Sequence, residues 1–228
     1  MKILALDSTA SPASAALCMD SKVLSFSYIN TGLTHSQTLL PMVENVLENS
    51  GCSLCDVDSI AVSNGPGSFT GVRIGVATVK GLAFAQDKPC IAVSTLEAMA
   101  YNMIGVDCVV FALMDARRNQ VYNAVFENSA GEVKRLCEDR AVAIESLKAE
   151  LEKMADKTVY FVGDGAKIAY DMLSDEFKFI RLAPENVRYQ NAVGVAMAAQ
   201  NKPTCKASSL LPSYLRLSQA ERELKLKK

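Results

Sequence analysis

Apolar and polar positions divide the first hundred residues into short runs followed by longer helical stretches. Ile3–Leu6, Ala15–Met19 and Val23–Tyr28 are three apolar runs separated by turn residues, the mark of consecutive strands. A helix follows over Thr38–Asn49, with Pro41 tolerated in its first turn. Its Leu39, Leu40, Val43, Val46 and Leu47 make an apolar face broader than one sheet contact needs. Ile60–Val62 is a fourth strand, NGPGSFTGVRIGVATVKGLAFA (Asn64–Ala85) a glycine loop and helix, and Cys90–Val93 a fifth strand. Ser94 and Glu97 have the spacing of a capping box that opens a third helix.

The second half repeats this order without repeating the sequence. Val109–Met114 and Gln120–Phe126 are strands about the turn Asp115–Asn119, and Glu132–Cys137 is a third. An amphipathic helix Ile144–Met154, a strand Val159–Val162, a helix Ala166–Leu173, a strand Phe177–Leu182 and a small-residue helix Gln190–Ala199 complete it. Three meandering strands followed by alternating helices and strands, used twice, is the ribonuclease-H-like pattern of actin, sugar kinases and heat-shock ATPases. The expected fold is therefore α/β with two such lobes, 1–105 and a reduced second lobe 106–228. The boundary falls near Gly105–Asp107, and the tail 217–228 is expected to pack back on the first lobe as a helix.

The glycine segment is the most informative stretch. Gly65 and Gly67 bracket Pro66, which favours a tight turn, and Ser68 or Thr70 can cap the helix that follows. Such a helix start suits a phosphate. Within the helix, Gly71, Gly75 and Gly81 together cost roughly 2–3 kcal/mol in propensity, so close backbone packing must offset the loss. Arg73 and Lys80 lie seven apart on one stripe while nearly every other position is apolar or small. The helix is thus expected to be covered on more than one side, by its own sheet and by another chain.

Composition narrows the classes. A chain of 228 residues that is 50% hydrophobic can bury a substantial core. A net charge of −1 gives no basic footprint, which argues against tight nucleic-acid binding by this chain alone. MKILALDST reads as strand and turn rather than a signal peptide, and no apolar run is long enough for a bilayer, so a soluble cytoplasmic protein with no membrane partner is expected. Seven cysteines, an odd count, point to reduced thiols. Cys52 and Cys55 form a C-x-x-C without a second pair and in a loop before a strand, so a redox or zinc role is the weaker reading.

Three loops are expected to face the cleft between the lobes: Asp7-Ser8-Thr9, Asp115-Ala116-Arg117 and Gly163-Asp164-Gly165. A carboxylate there can hold magnesium, and hydroxyls and glycine amides can hold phosphate. Each is equally an ordinary turn, with Asp115 pairing with Arg117 or Arg118 and Gly-Asp-Gly serving as a strand exit. The glycine loop lacks Gly-Lys-Ser/Thr and does not match the dinucleotide fingerprint. His35 is the one histidine, which excludes a histidine-rich metal site, and no G-x-S-x-G elbow occurs; it reads as the lead into the first helix.

GPGSFTGVRIGVATVKGLAFA, together with LALDST, THSQTLLPMVENVL, VSTLEAMA and PSYLR, resembles the TsaB (YeaZ) family, specifically over 1–122 and more thinly to about Arg216. The resemblance implies an actin-like fold and a partner subunit in the bacterial machinery that makes threonylcarbamoyladenosine beside the tRNA anticodon. In that machinery a metal-binding paralogue, TsaD, transfers the threonylcarbamoyl group, and an ATPase, TsaE, acts with the pair. The paralogue carries His-x-x-x-His on the helix after the glycine helix; here Thr95 and Met99 stand at those places, a poor and a weak ligand. The expected role is a non-catalytic scaffold without a metal, a homodimer when alone and in contact with tRNA only through the complex. No cofactor is expected beyond feeble nucleotide binding at Asp7, Ser8, Thr9, Asp115, Gly163 and Gly165. The expected surface for TsaD is a four-helix contact through Leu39, Leu40, Val43, Val46, Leu47, Gly71, Arg73, Ile74, Gly75, Thr78 and Leu82, with the homodimer competing for it. Two rivals are a small-molecule kinase or ATPase using Asp7 and Asp115 with magnesium, and a glycopeptidase, for which the sequence offers neither metal nor activated nucleophile.

Overall fold

The computed structural model describes residues 1–216, so the tail helix expected at 217–228 lies outside the described residues. The first half forms β1 (Lys2–Asp7), β2 (Ala13–Met19), β3 (Lys22–Ile29), α1 (His35–Asn49), β4 (Ser59–Gly65), α2 (Phe69–Ala85), β5 (Cys90–Ser94) and α3 (Thr95–Tyr101). The second forms β6 (Cys108–Asp115), β7 (Gln120–Ser129), β8 (Glu132–Arg135), β9 (Arg140–Ala143), α4 (Lys148–Leu151), β10 (Val159–Val162), α5 (Ala166–Leu173), β11 (Ile180–Leu182), α6 (Glu185–Arg188) and α7 (Ala192–Ala199).

The duplication expected from element order is present in the sheets. The first sheet runs β3-β2-β1-β4-β5 and the second β8-β7-β6-β10-β11, with β9 also on β7. In each, the opening strand is central, its hairpin partner antiparallel and the two crossover strands parallel. Central strands are covered on both faces and so read as continuous apolar runs, as β1 and β6 do. Five layers result. α1 and α2 cover the outer face of the first sheet. α7 and α3 fill the space between the sheets, and α5 with the segment 144–151 covers the far face of the second. Gly194 allows α7 to cross α3 closely, since a Cβ there would lie 2.2 Å from the Ala98 carbonyl oxygen.

Several expectations need correction. The second lobe is not reduced in its sheet, which has six strands against five; only its helices are shorter. The chain passes from the first sheet to the second between β5 and β6, and it returns at α7 to pack on β1 and β2 of the first. α1 begins at His35, which puts Pro41 beyond the first turn. The helix expected over 144–154 is one α-turn between two 3₁₀ segments, a tightening that places Ile144 above Leu147 on the core. β11 is shorter than expected because Phe177 closes the turn after α5, its N–H donating to the Leu173 carbonyl at 2.9 Å.

The lobes are clasped through α3. Glu97 pairs with Arg135 of β8 at 3.2 Å and with Lys202 at 2.9 Å, while Arg135 also pairs with Asp139 at 2.6 Å. Only half of the expected capping box therefore forms. Ser94 Oγ accepts from the Glu97 N–H at 3.3 Å, but the Glu97 carboxylate is drawn into the clasp.

Candidate functional site

A cavity of about 430 Å³ lies between the lobes. Thr9 and Ser11 border it after β1, Gly67, Ser68 and Phe69 at the start of α2, Asp115 and Arg117 at the β6–β7 turn, and Asp164 after β10. The three loops expected to meet at the cleft thus do meet there.

Their chemistry is largely spent inside the chain. Asp7 is buried beneath the cleft rather than lining it. Its Oδ1 accepts from the Thr9 N–H at 2.9 Å and the Thr9 hydroxyl at 2.8 Å, and its Oδ2 from the Ser63 hydroxyl at 2.5 Å. Burial pushes its carboxyl above the usual range, against the opposing pull of Ser63 and Thr9. Ser8 donates its hydroxyl to the Gly71 carbonyl at 2.9 Å. Around β10, the Gly163 N–H donates to the Arg188 carbonyl at 2.6 Å and the Gly165 N–H to the Leu113 carbonyl at 3.0 Å, so neither amide is turned to a phosphate. Gly163 has φ +103°, and a Cβ there would strike the Leu113 carbonyl oxygen; the glycine serves close packing on β6.

Two carboxylates do face the cavity. Asp115 accepts from the Arg117 N–H at 2.7 Å and pairs with the Arg117 guanidinium at 3.3 Å, as the turn reading expected. Asp164 accepts from Gln190 Nε2 at 2.8 Å, and burial raises its pKa. The turn holding Arg117, Arg118 and Asn119 has all three in the left-handed region, with φ of 66°, 57° and 54°.

On α3, Thr95 and Met99 are fully buried; the Thr95 hydroxyl has no hydrogen-bond partner among the described residues, and Met99 Sδ packs against Gly163. Among the described residues no three His, Cys, Asp or Glu side chains stand together as a metal cluster. His35 opens α1, and its Nε2–H donates to the Ala10 carbonyl at 2.7 Å.

The residues expected at a partner surface divide sharply. Leu39, Val43 and Val46 are buried in the core, because α1 rests on β2, β3 and α2 together and uses the breadth of its apolar face within the chain. Gly71 and Gly75 face Ser8, not a partner: a Cβ on Gly71 would lie 2.0 Å from the Ser8 carbonyl oxygen, and one on Gly75 2.7 Å from Ser8 Oγ. Leu40 and Arg73 are exposed, and Leu47, Ile74, Thr78 and Leu82 half-buried. The Arg73/Lys80 stripe holds the strap 203–216. Lys80 Nζ donates to the Ser208 and Leu210 carbonyls at 3.3 Å each, and Arg73 Nε to the Tyr214 hydroxyl at 2.8 Å, with Tyr214 stacked on Phe69 at 4.9 Å. What the sequence reading missed is Phe84, 85% exposed at the end of α2, and Ala77 on the same outward stripe.

A family model described as "TsaD: tRNA N6-adenosine threonylcarbamoyltransferase" matches residues 30–224. A Bacillus subtilis relative, "tRNA threonylcarbamoyladenosine biosynthesis protein TsaB", is 32% identical over 224 residues, which is 97% of this chain and 96% of that protein. The chain belongs to the TsaB (YeaZ) family. A solved Pseudomonas aeruginosa structure, described as an uncharacterized protein with similarity to peptidase YEAZ, superposes with a TM-score of 0.79 at 29% identity over 94% of this chain and 99% of its own. Component A of the Acidaminococcus fermentans (R)-2-hydroxyglutaryl-CoA dehydratase, at TM-score 0.51 and 12% identity over 87% and 97% of the two chains, shares the actin-type two-lobed fold alone.

Among the described residues no helix is long and apolar enough to cross a membrane.

Proposed function

We propose that this TsaB-family chain acts in tRNA threonylcarbamoyladenosine biosynthesis as a non-catalytic partner of a TsaD-type transferase, with TsaE as a third component. The observation that carries this reading is the state of Asp7. A carboxylate that holds magnesium presents an oxygen to the cleft, whereas Asp7 is buried beneath it, off the cavity wall, with three of its roughly four acceptor sites taken by Thr9 and Ser63. The Gly163 and Gly165 amides are engaged likewise. These contacts leave the cleft suited at most to feeble nucleotide binding.

The partner surface is the outward face of α2 with the exposed edge of α1. Arg73, Ala77, Gly81 and Phe84 follow one another at helical spacing, and all are exposed. Among the described residues nothing lies within 4 Å of the Gly81 Cβ position, so no contact among them accounts for a residue that costs a helix about 1 kcal/mol relative to alanine. Close approach by a partner helix supplies the reason. The same face serves the homodimer, which competes with TsaD, and tRNA is reached only through the complex.

The purified chain should neither turn over ATP nor modify tRNA, and modification should appear when the host's TsaD-type transferase, TsaE, tRNA and the threonylcarbamoyl donor are supplied with it. ATP turnover by the chain alone that disappears in Asp7→Ala would instead establish the kinase or ATPase reading.

A further inference from the structure

Cys90, the first residue of β5, and Cys205, in the strap, lie directly opposite each other across an isolated antiparallel bridge. They exchange both backbone hydrogen bonds: Cys90 N–H to Cys205 O and Cys205 N–H to Cys90 O, each at 2.8 Å. Such a directly opposed pair has its Cα atoms about 5.5 Å apart and both Cβ atoms on one face. That separation lies within the range of about 4.4–6.8 Å between the Cα atoms of disulfides, and the Cβ atoms, about 5.5 Å apart in a hydrogen-bonded pair, must draw together by about 1–2 Å for the bond to close, which the one-bridge attachment of the strap allows. Both thiols are free and lie in the same apolar cluster under α1 and α2.

We propose that Cys90 and Cys205 are a modification site, a dithiol that glutathione disulfide converts to an intramolecular disulfide. Cys205 is half-buried and Cys90 fully buried, so the oxidant meets Cys205 first. The Cys205 sulfur, its proton lost to solvent, attacks one sulfur of glutathione disulfide; that S–S bond breaks, one glutathione leaves and a mixed disulfide forms. The Cys90 sulfur, its proton likewise lost, then attacks the Cys205 sulfur, the mixed bond breaks and the second glutathione leaves. Two electrons pass from the two protein thiols to the oxidant, which departs as two glutathione thiols. Burial pushes the Cys90 thiol up to about 11, which makes the second step the slower one at neutral pH.

The bond would staple the strap where it meets the sheet. β5 is an edge strand of the first sheet, and the strap beyond Cys205 carries Leu210 into the core, Tyr214 onto Phe69 and Arg216 to the Ala116 carbonyl at 3.0 Å across the cleft. A covalent tie at Cys205 therefore fixes the segment that borders both the cleft and the outward face of α2.

The test is incubation of the full chain with a glutathione disulfide/glutathione mixture, followed by thiol counting, intact mass and peptide mapping. The expected result is loss of two of the seven thiols, a mass lower by two hydrogens, a linked Cys90–Cys205 peptide pair and a raised Tm that dithiothreitol reverses. Cys205→Ala should retain the reduced protein's Tm and lose every one of these changes; should it fold poorly, Cys90→Ala is the second variant. Persistent glutathione adducts without a linked pair, a disulfide confined to Cys52 and Cys55, or no loss of thiols would each overturn the proposal.

Discussion

The Ser8 carbonyl oxygen occupies the space where a side chain on Gly71 would begin, and the Ser8 hydroxyl donates to the Gly71 carbonyl at 2.9 Å. The glycine helix is thereby seated on the turn after β1. Gly81, on the same helix, meets nothing among the described residues. Gly71→Ala should destabilise the chain by about 1–3 kcal/mol, since backbone must move to admit the methyl group. Gly81→Ala should stabilise the isolated chain by about 0.5–1 kcal/mol and weaken its association with a partner. Urea unfolding of the two variants checks the first pair of effects, and sedimentation the last.

How much of this was legible follows from the same helix. The glycines announce close packing, but sequence spacing does not distinguish a neighbour in the chain from one in another chain, so a pattern that points Gly71 and Gly75 at a partner is met instead by Ser8. Strand order was readable because central strands are continuous apolar runs. β9, four residues whose apolar run Ala141–Ala143 continues into Ile144 and so does not mark off a strand, was not, and its pairing with β7 comes from tertiary context. At the site, the three loops were placed correctly by topology. Whether a carboxylate is free or satisfied depends on a partner 56 residues away, Ser63 for Asp7, which no local pattern reveals.

Val46 and Ala77 separate core from surface. Val46 is fully buried, so Val46→Asp should cost about 3 kcal/mol or more and leave little folded chain. Ala77 is exposed on α2, so Ala77→Glu should change stability by no more than about 0.5 kcal/mol. Circular dichroism melts distinguish the two outcomes.

Asp7 should make stability depend on pH in a defined direction. Its folded pKa is raised by burial, so its protonated form is favoured in the folded state. The stability linked to it is complete below the unfolded carboxylate pKa of about 4 and is lost as pH rises through the folded value. Asp7→Asn preserves the acceptor for Thr9 and removes that titration. The urea midpoint of the wild type should therefore fall relative to that of Asp7→Asn as pH rises from the acid range toward neutrality. A gap that moves the opposite way would mean that Thr9 and Ser63 hold Asp7 ionised.

The central claim is that the chain works through its outward helical face and not through its cleft. The direct measurement is threonylcarbamoyladenosine formed on tRNA by the host's TsaD-type transferase with TsaE and either wild-type chain, the cleft variant Asp115→Asn/Asp164→Asn, or the surface variant Ala77→Glu, each first verified as folded. The account predicts near wild-type modification with the cleft variant and loss with the surface variant, together with loss of association with the transferase. Full modification with Ala77→Glu and none with the cleft variant would contradict it.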